Sequence, residues 1–169
     1  MSTEPIAAFE SSLADLAVGY TRTDRDGFAD ALASVIEEPA VGVPLDGFEG
    51  ISLDGTGVTV PPTPRLLAEA KTGVTPVDKA IAEYGTLVLE SDEAGTEPVS
   101  LYPPTHVGVV RESDVLPSVE SATGYLTERF AAGGSAVFAT GVSSTGDMGA
   151  LVEGVHGPKT VHVVLLTDQ

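Results

Sequence analysis

The chain has 169 residues, of which 42% are apolar, and its 8 basic and 25 acidic side chains give it a net charge of −17. Nucleic acids and anionic membranes are bound through clusters of basic side chains, and the sequence contains no such cluster, so both classes of partner are disfavoured. Cysteine is absent, which excludes disulfides, thiolate catalysis and cysteine-ligated iron–sulfur clusters within this chain.

The length fits one domain with one hydrophobic core, and we expect residues 1–169 to form it. The acidic residues are scattered over the chain rather than gathered in a tail, which favours a protein adapted to molar salt over an ordinary acidic protein. The N-terminus has no basic stretch or apolar signal core, and no apolar run approaches the roughly 20 residues that cross a bilayer. We therefore predict a cytoplasmic protein without membrane insertion.

Apolar residues recur at three- and four-residue steps near the start of the chain and predict an amphipathic helix. Its inward face is formed by Ile6, Phe9, Leu13, Leu16 and Tyr20. A second helix is predicted after Asp24 or Asp26, and a third over residues 64–71. Between these two helices, short apolar runs bounded by Gly, Pro and Asp predict strands at residues 40–43, 50–53 and 58–60.

The middle of the chain carries the signature of a helix start. Thr75-Pro76-Val77-Asp78 offers a hydroxyl cap, a proline in the first turn and an acid near it, and Gly85 suits the end of the same helix. Strands are predicted to follow at residues 86–89, 99–102 and 107–110.

The last third of the chain predicts helix, strand, loop, helix and strand. The ranges are a helix at 117–130, a strand at 136–139, a loop at 141–146, a short helix from near Asp147 through Met148, Leu151 and Val152, and a strand at 161–166. Helices that alternate with continuous apolar strands imply a three-layer α/β fold with a mostly parallel sheet covered on both faces.

Three stretches carry a family resemblance. They are residues 73–75 with 80–89, the segment Ser100-Leu101-Tyr102-Pro103-Pro104-Thr105-His106, and Gly154-Val155-His156-Gly157-Pro158-Lys159 ahead of 162–166. In order and spacing they resemble the LUD domain, the family of lactate-utilization protein C, over roughly residues 73–166.

The resemblance implies a fold like that of the ribose-5-phosphate isomerase, glucosamine-6-phosphate deaminase and CoA-transferase superfamily. It also implies a place in a three-component system that oxidises L-lactate to pyruvate, beside iron–sulfur partner proteins and with no cofactor in this chain. The sequence departs from the family pattern in one loop, where Ser144 replaces a basic residue and Gly149 an acidic one. This change removes a cation that an anionic ligand could meet.

Glu83 and His106 are the candidate catalytic residues. Glu83 is predicted in the last turn of its helix, where a carboxylate opposes the helix dipole by about 0.3–1 kcal/mol, and this favours a role as general base or nucleophile. Glu83-Tyr84-Gly85 also resembles the Glu-Asn-Gly turn of CoA transferases. His106 follows a Pro-Pro-Thr break at a strand end, where ligands of α/β sheets gather. The alternatives are a solvated glutamate and a histidine bonded to a turn backbone.

Candidate ligand-binding residues flank these two positions. They are Gly85, Thr86, Ser143, Ser144, Thr145, Gly146, Asp147 and His156. Amides at the start of the helix predicted near Asp147 would bind an anion, although Asp147 could equally cap that helix itself. His156 would either contact the ligand or fix the turn before Gly157-Pro158, and His162 is predicted to pack in its strand.

The sequence contains no set of histidines and acids with metal-ligand spacing, so no metal site is predicted. Three functions stay open. The first is an accessory component of L-lactate oxidation. The second is a free-standing enzyme acting on a small anionic metabolite, such as an acyl thioester or a sugar phosphate, through Glu83 and His106. The third is a ligand-sensing domain that uses the same pocket without turnover.

Overall fold

A six-stranded parallel sheet lies at the centre of the computed structural model, which describes residues 3–147, 150–153 and 156–169. The helices are α1 (Thr3–Asp15), α2 (Phe28–Ala33), α3 (Pro64–Glu69), α4 (Thr96–Leu101) and α5 (Val119–Ala131), with a 3₁₀ turn at Glu112–Asp114. The strands are β1 (Gly19–Thr23), β2 (Ala40–Gly42), β3 (Val58–Thr59), β4 (Thr72–Pro76), β5 (Lys79–Ile81), β6 (Thr86–Glu90), β7 (Thr105–Arg111), β8 (Val115–Leu116), β9 (Ala136–Thr140), β10 (Ser144–Asp147), β11 (Ala150–Glu153) and β12 (Thr160–Leu166).

The parallel sheet has the order β1-β12-β7-β4-β2-β3. Its middle strands β7 and β12 pair along their whole length, from Thr105 with Thr160 to Arg111 with Leu166. Both are continuous apolar runs with valines buried on the two faces of the sheet, as expected for a parallel sheet covered on both sides. The prediction of an α/β fold with a mostly parallel sheet is confirmed.

A second, four-stranded sheet packs against the first. Its order is β8-β5-β6-β9, with β6 antiparallel to both of its neighbours and β8 parallel to β5. Side chains of α1, of β6 and of the parallel sheet share one apolar cluster between the two sheets. Helix α5 covers the outer face of the second sheet, and α2 with the loop at residues 45–53 covers the far face of the parallel sheet.

Several predicted elements in the first half of the chain change their bounds. Helix α1 ends at Asp15, because Ala17 adopts a φ of 55° and the chain turns into β1, so Tyr20 lies in a strand. The segment 50–53 is irregular rather than a strand, although Ile51 and Leu53 are buried. The third predicted helix is confirmed as α3, with the Thr63 hydroxyl accepting a hydrogen bond from the Leu66 amide.

The helix predicted from Thr75 to Glu83 is wrong. Residues 72–76 form β4, residues 79–81 form β5, and a tight turn leads to β6. The amide of Val77 donates to the Val109 carbonyl in β7, and the amide of Asp78 donates to the Val88 carbonyl in β6. Residues 77–78 are therefore hydrogen-bonded to two strands instead of within a helix. Long-range strand pairing therefore overrides the local capping signature.

Two further predictions in the second half are wrong. Residues 99–101 belong to α4 and Tyr102 is its C-cap, and the helix begins where the Asp92 carboxylate accepts hydrogen bonds from the amides of Gly95 and Thr96. The helix predicted from Asp147 is a hairpin, since β10 and β11 pair antiparallel from Ser144 with Glu153 to Asp147 with Ala150. Met148 lies outside the described residues.

Candidate functional site

Among the predicted site residues whose side chains the structure describes, His106 is the most buried polar one, with 1% of its surface exposed. It is the second residue of β7, and Pro104 fixes that strand end because its carbonyl accepts hydrogen bonds from the amides of Lys159 and Thr160. His106 Nε2 lies 2.8 Å from the hydroxyl of Thr75 on the neighbouring strand β4. Burial lowers the pKa of the imidazole to about 4, so His106 is neutral near pH 7.

A cleft of about 190 Å³ opens beside His106, between the start of β7 and the strand β9 of the second sheet. Its lining is Ser100, Leu101, His106, Val137, Phe138, Ala139, Thr140, Gly141, Val142, Ser143, His156, Gly157, Pro158 and Val161. Among these described residues there is no Asp, Glu, Lys or Arg. The described lining of the cleft therefore contains none of the acidic side chains that give the chain its net charge of −17.

The cleft brings together three residues that the sequence predicted separately, His106, Ser143 and His156. The Ser143 amide donates to the Pro158 carbonyl at 2.9 Å, which ties the loop at residues 141–143 to the turn at 156–158. Gly157 packs so closely on Ser143 that a Cβ at position 157 would lie 3.0 Å from the Cβ of Ser143. His156 is exposed and Ser143 half-buried, so these two residues form the outer part of the cleft and His106 the inner part.

Gly85 and Thr86 lie behind the cleft rather than in its wall. The Thr86 hydroxyl is 2.7 Å from that of Thr140, which lines the cleft. Gly85 has a φ of +65°, and a Cβ there would lie 3.0 Å from the Leu16 side chain. Gly85 thus supports the packing of the second sheet on α1.

Glu83 lies in the turn between β5 and β6, is exposed, and is not among the residues of the cleft. Its Oε1 accepts a hydrogen bond of 2.8 Å from the amide of Val119, the first residue of α5. The helix that was predicted to end near Glu83 is not formed, so this carboxylate does not oppose a helix dipole there. It lies instead at the N-terminus of α5, where a negative charge is favourable to the helix dipole. Catalysis by Glu83 stays a prediction, and the structure gives this residue a capping contact.

The anion site expected at a helix start near Asp147 loses its basis, because Ser144, Thr145, Gly146 and Asp147 form the strand β10. The unpaired amides of an edge strand alternate with carbonyl groups and lack a helix dipole, so they do not converge on an anion as the amides of a helix N-terminus do. Ser144 is exposed. The side chains of residues 145–147 lie outside the described part of the structure.

The position of the cleft differs from the one expected for a ligand site in an open α/β sheet. His106 and Val161 lie at the amino-terminal ends of β7 and β12, whereas such sheets bind ligands at the carboxyl-terminal ends. The cleft exists here because the second sheet overhangs this edge. At the opposite edge, Arg111 and Lys79 both contact the buried carboxylate of Asp114.

Thr75 was missed as a site residue because it was interpreted as a helix cap. A cluster on the outer side of the second sheet was missed as well, in which Glu90 accepts hydrogen bonds from the Tyr125 hydroxyl and pairs with Arg129 at 2.8 Å. Asp78 accepts from the Glu90 amide, and burial raises the pKa of Asp78 to about 6. Only the acidic residues of this cluster stand out in the sequence, and nothing there signals their proximity to α5.

His162 lies in strand β12, as predicted, and the Thr21 hydroxyl is its hydrogen-bond partner. Its Nε2 lies 2.9 Å from the Thr21 hydroxyl, and burial lowers the pKa of its imidazole. Among the described residues, no group of three or more His, Asp or Glu side chains could hold a metal ion. In the same part of the chain, no helix is both long and apolar enough to cross a membrane.

Comparison with known sequences decides the family. The sequence model of the LUD domain matches residues 24–166. The chain belongs to the LUD domain family. The match includes every residue that lines the cleft, from Ser100 to Val161.

This LUD domain is similar to curated proteins named lactate utilization protein C. The one from Geobacillus sp. (strain WCH70) is 33% identical over 106 residues, which are 60% of this chain and 44% of that protein. The one from Bacillus subtilis is 32% identical over 106 residues, with the same two shares. The one from Deinococcus radiodurans is 27% identical over 171 residues, which are 96% of this chain and 80% of that protein. The chain thus spans less than half the length of the first two relatives.

A solved structure shares the fold. It is the crystal structure of a DUF162 family protein from Deinococcus radiodurans, which superposes with a TM-score of 0.77 and is 23% identical in sequence. The alignment covers 98% of this LUD domain and 99% of that chain.

Proposed function

We propose that this LUD domain is an accessory component of L-lactate utilization. In this proposal, iron–sulfur partner proteins accept the two electrons that L-lactate loses when it becomes pyruvate, with release of two protons. The LUD domain has no cysteine to ligate a cluster, so its part is to bind or position rather than to carry electrons. The proposal places the protein in the cytoplasm with these partners.

One observation carries the proposal. The family match takes in every described residue of the cleft, and the similar proteins from Geobacillus, Bacillus and Deinococcus are all named for lactate utilization. A role shared with those proteins is therefore best sought at the cleft, where His106, Ser143 and His156 meet.

The experiment is growth on L-lactate of a strain from which this gene has been deleted. We expect the deletion to abolish growth on L-lactate and to leave growth on pyruvate unchanged, because the block lies before pyruvate. Wild-type gene supplied from a plasmid should restore growth. Normal growth of the deletion strain on L-lactate would remove the proposed function.

Two threonine–histidine pairs in the same sheet supply matched variants. The Thr75 hydroxyl lies 2.8 Å from His106 Nε2 beside the cleft. The hydroxyl of Thr21, on the edge strand β1, lies 2.9 Å from Nε2 of His162, on β12, and His162 does not line the cleft. We expect rescue by His162→Gln and a loss of rescue by His106→Leu, with both proteins at wild-type abundance in the soluble fraction. Full rescue by His106→Leu would show that the function does not use the cleft.

A further inference from the structure

We propose that the cleft beside His106 binds a short 2-hydroxy or 2-oxo monocarboxylate and excludes phosphorylated metabolites and acyl thioesters. The choice of a carboxylic acid rests on the proposed function. The limits on ligand size and charge come from the cleft itself, as its volume, lining and hydrogen-bonding groups determine them.

The volume of the cleft sets the size of the ligand. Pockets for drug-sized molecules have about 300–1,000 Å³, and this cleft, at about 190 Å³, is smaller. Acids of three carbons such as lactate and pyruvate have six heavy atoms and match a small cleft. A pentose phosphate or a coenzyme A thioester would place only part of its atoms there.

The charge of the lining sets the charge of the ligand. The described lining contains no lysine or arginine, and His106 is neutral because burial lowers the pKa of its imidazole to about 4. A phosphate dianion would meet no lysine or arginine of the described lining, and its desolvation cost exceeds that of a monoanion because this cost grows with the square of the charge.

The hydrogen bond between His106 and Thr75 explains how one site accepts either oxidation state of the acid. A neutral imidazole has one donor and one acceptor nitrogen, and a threonine hydroxyl takes either role, so the Nε2 contact with Thr75 is satisfied in both tautomers. Among the described residues Nδ1 of His106 has no hydrogen-bond partner, so it would accept from a 2-hydroxyl group or donate to a 2-oxo group. The carboxylate lies toward the outer part of the cleft, near the Ser143 hydroxyl and the His156 imidazole.

The remaining walls suit a short alkyl group. Leu101, Val137, Val142 and Val161 contribute apolar surface to the cleft. They would contact the methyl group of a three-carbon acid, and a fully polar ligand such as a sugar would leave its hydroxyl groups without partners there.

Binding is tested on the purified protein in 2 M KCl by ¹H–¹⁵N NMR titration, following the amides of Gly141 and Ser143. The probes are L-lactate and pyruvate, with propionate to test the need for the 2-oxygen, and with glycerol 3-phosphate, ribose 5-phosphate and acetyl coenzyme A to test the limits on charge and size. We expect saturable shifts with L-lactate and pyruvate, at least tenfold weaker binding of propionate, and no saturable shift with the other three. Tighter binding of any phosphorylated probe or of the thioester would overturn the proposal, as would the absence of binding by both acids.

Variants locate the binding. His106→Leu should weaken the binding of L-lactate at least tenfold, and Ser143→Ala at least fivefold. His162→Gln and Ser11→Ala change residues outside the cleft and should leave the binding unchanged. Ser143→Ala decides the matter if His106→Leu does not fold, and unchanged binding by the folded cleft variants would place the acid elsewhere. The two proposals fail separately. Growth loss without binding of an acid removes only this inference, and binding without growth loss removes only the role in lactate utilization.

Discussion

His106 is neutral in the folded protein because burial removes most of the hydration that its cationic form would need. Its pKa of about 4 in the fold compares with 6.5 for a free imidazole, so the unfolded chain takes up this proton first as the pH falls. The corresponding stability is fully present above pH 6.5 and is lost as the pH falls toward 4. By linkage it amounts to on the order of 3 kcal/mol.

We therefore expect His106→Gln to flatten the decrease in unfolding free energy between pH 6.5 and 4. Urea unfolding at a series of pH values measures this slope for the wild type and the variant. His156→Gln, which removes an exposed histidine, serves as the control and should keep the wild-type slope. Parallel curves for wild type and His106→Gln would show that His106 is accessible to protons in the fold.

Variants of Glu83 distinguish a helix-capping role of this residue from a catalytic one. Loss of its hydrogen bond to the Val119 amide in Glu83→Ala should lower the unfolding free energy by about 1 kcal/mol, as for other caps at helix N-termini. Glu83→Gln keeps an oxygen for this amide and should lose less. Thermal unfolding measures both, with the exposed Glu93→Ala as control. Growth on L-lactate with Glu83→Gln tests catalysis, since a glutamine cannot act as base or nucleophile.

At the scale of elements, the sequence predicts those whose apolar pattern is strong and whose contacts are repetitive. Strands β7 and β12 contain continuous apolar runs, and both strands and α5 were predicted near their observed bounds. The secondary structure of segment 75–84 was mispredicted because its strands β4 and β5 pair with β7 and β6, which follow it in the chain. A Thr-Pro-x-Asp signature describes only local preference, and two strand partners outweigh it.

Two glycines with opposite surroundings test how closely the elements pack. In β4, a Cβ on Gly73 would lie 2.0 Å from the Val99 carbonyl oxygen in α4, whereas a Cβ on Gly124 in α5 would meet nothing within 4 Å. We expect Gly73→Ala to destabilise the protein by several kcal/mol, because a backbone contact must open. Gly124→Ala should stabilise it by roughly 0.5–1 kcal/mol through helix propensity. Chemical denaturation gives both values, and equal effects would mean that α4 does not rest on β4.

The candidate site belongs to the scale of the whole molecule. His106, Ser143 and His156 are spread over 50 residues of the chain and meet only because the second sheet overhangs the start of β7. Residue types and family spacing were enough to select these three. They did not reveal Thr75 as the partner of His106, nor that Glu83 lies outside the cleft, since both facts depend on a strand pairing that the sequence did not predict.

The net charge of −17 is also a property of the whole molecule, and it makes stability depend on salt. The 8 basic residues include Arg22, Arg25, Lys79 and Arg111, which are paired with acids, so most of the 25 acids repel one another without a nearby cation. The Debye length falls from about 10 Å at 0.1 M salt to about 3 Å at 1 M, which screens this repulsion more strongly in the compact state than in the expanded unfolded chain.

We expect the midpoint of thermal unfolding to rise steeply between 0.1 and 1 M KCl and to continue upward more gently toward 3 M. Potassium chloride is a weak stabiliser of apolar burial, so an equal osmolality of sucrose separates screening from surface exclusion. A protein adapted to molar salt should gain far more from KCl than from sucrose. A midpoint that does not change between 0.1 and 1 M KCl would contradict that adaptation and make the acidic surface an ordinary one.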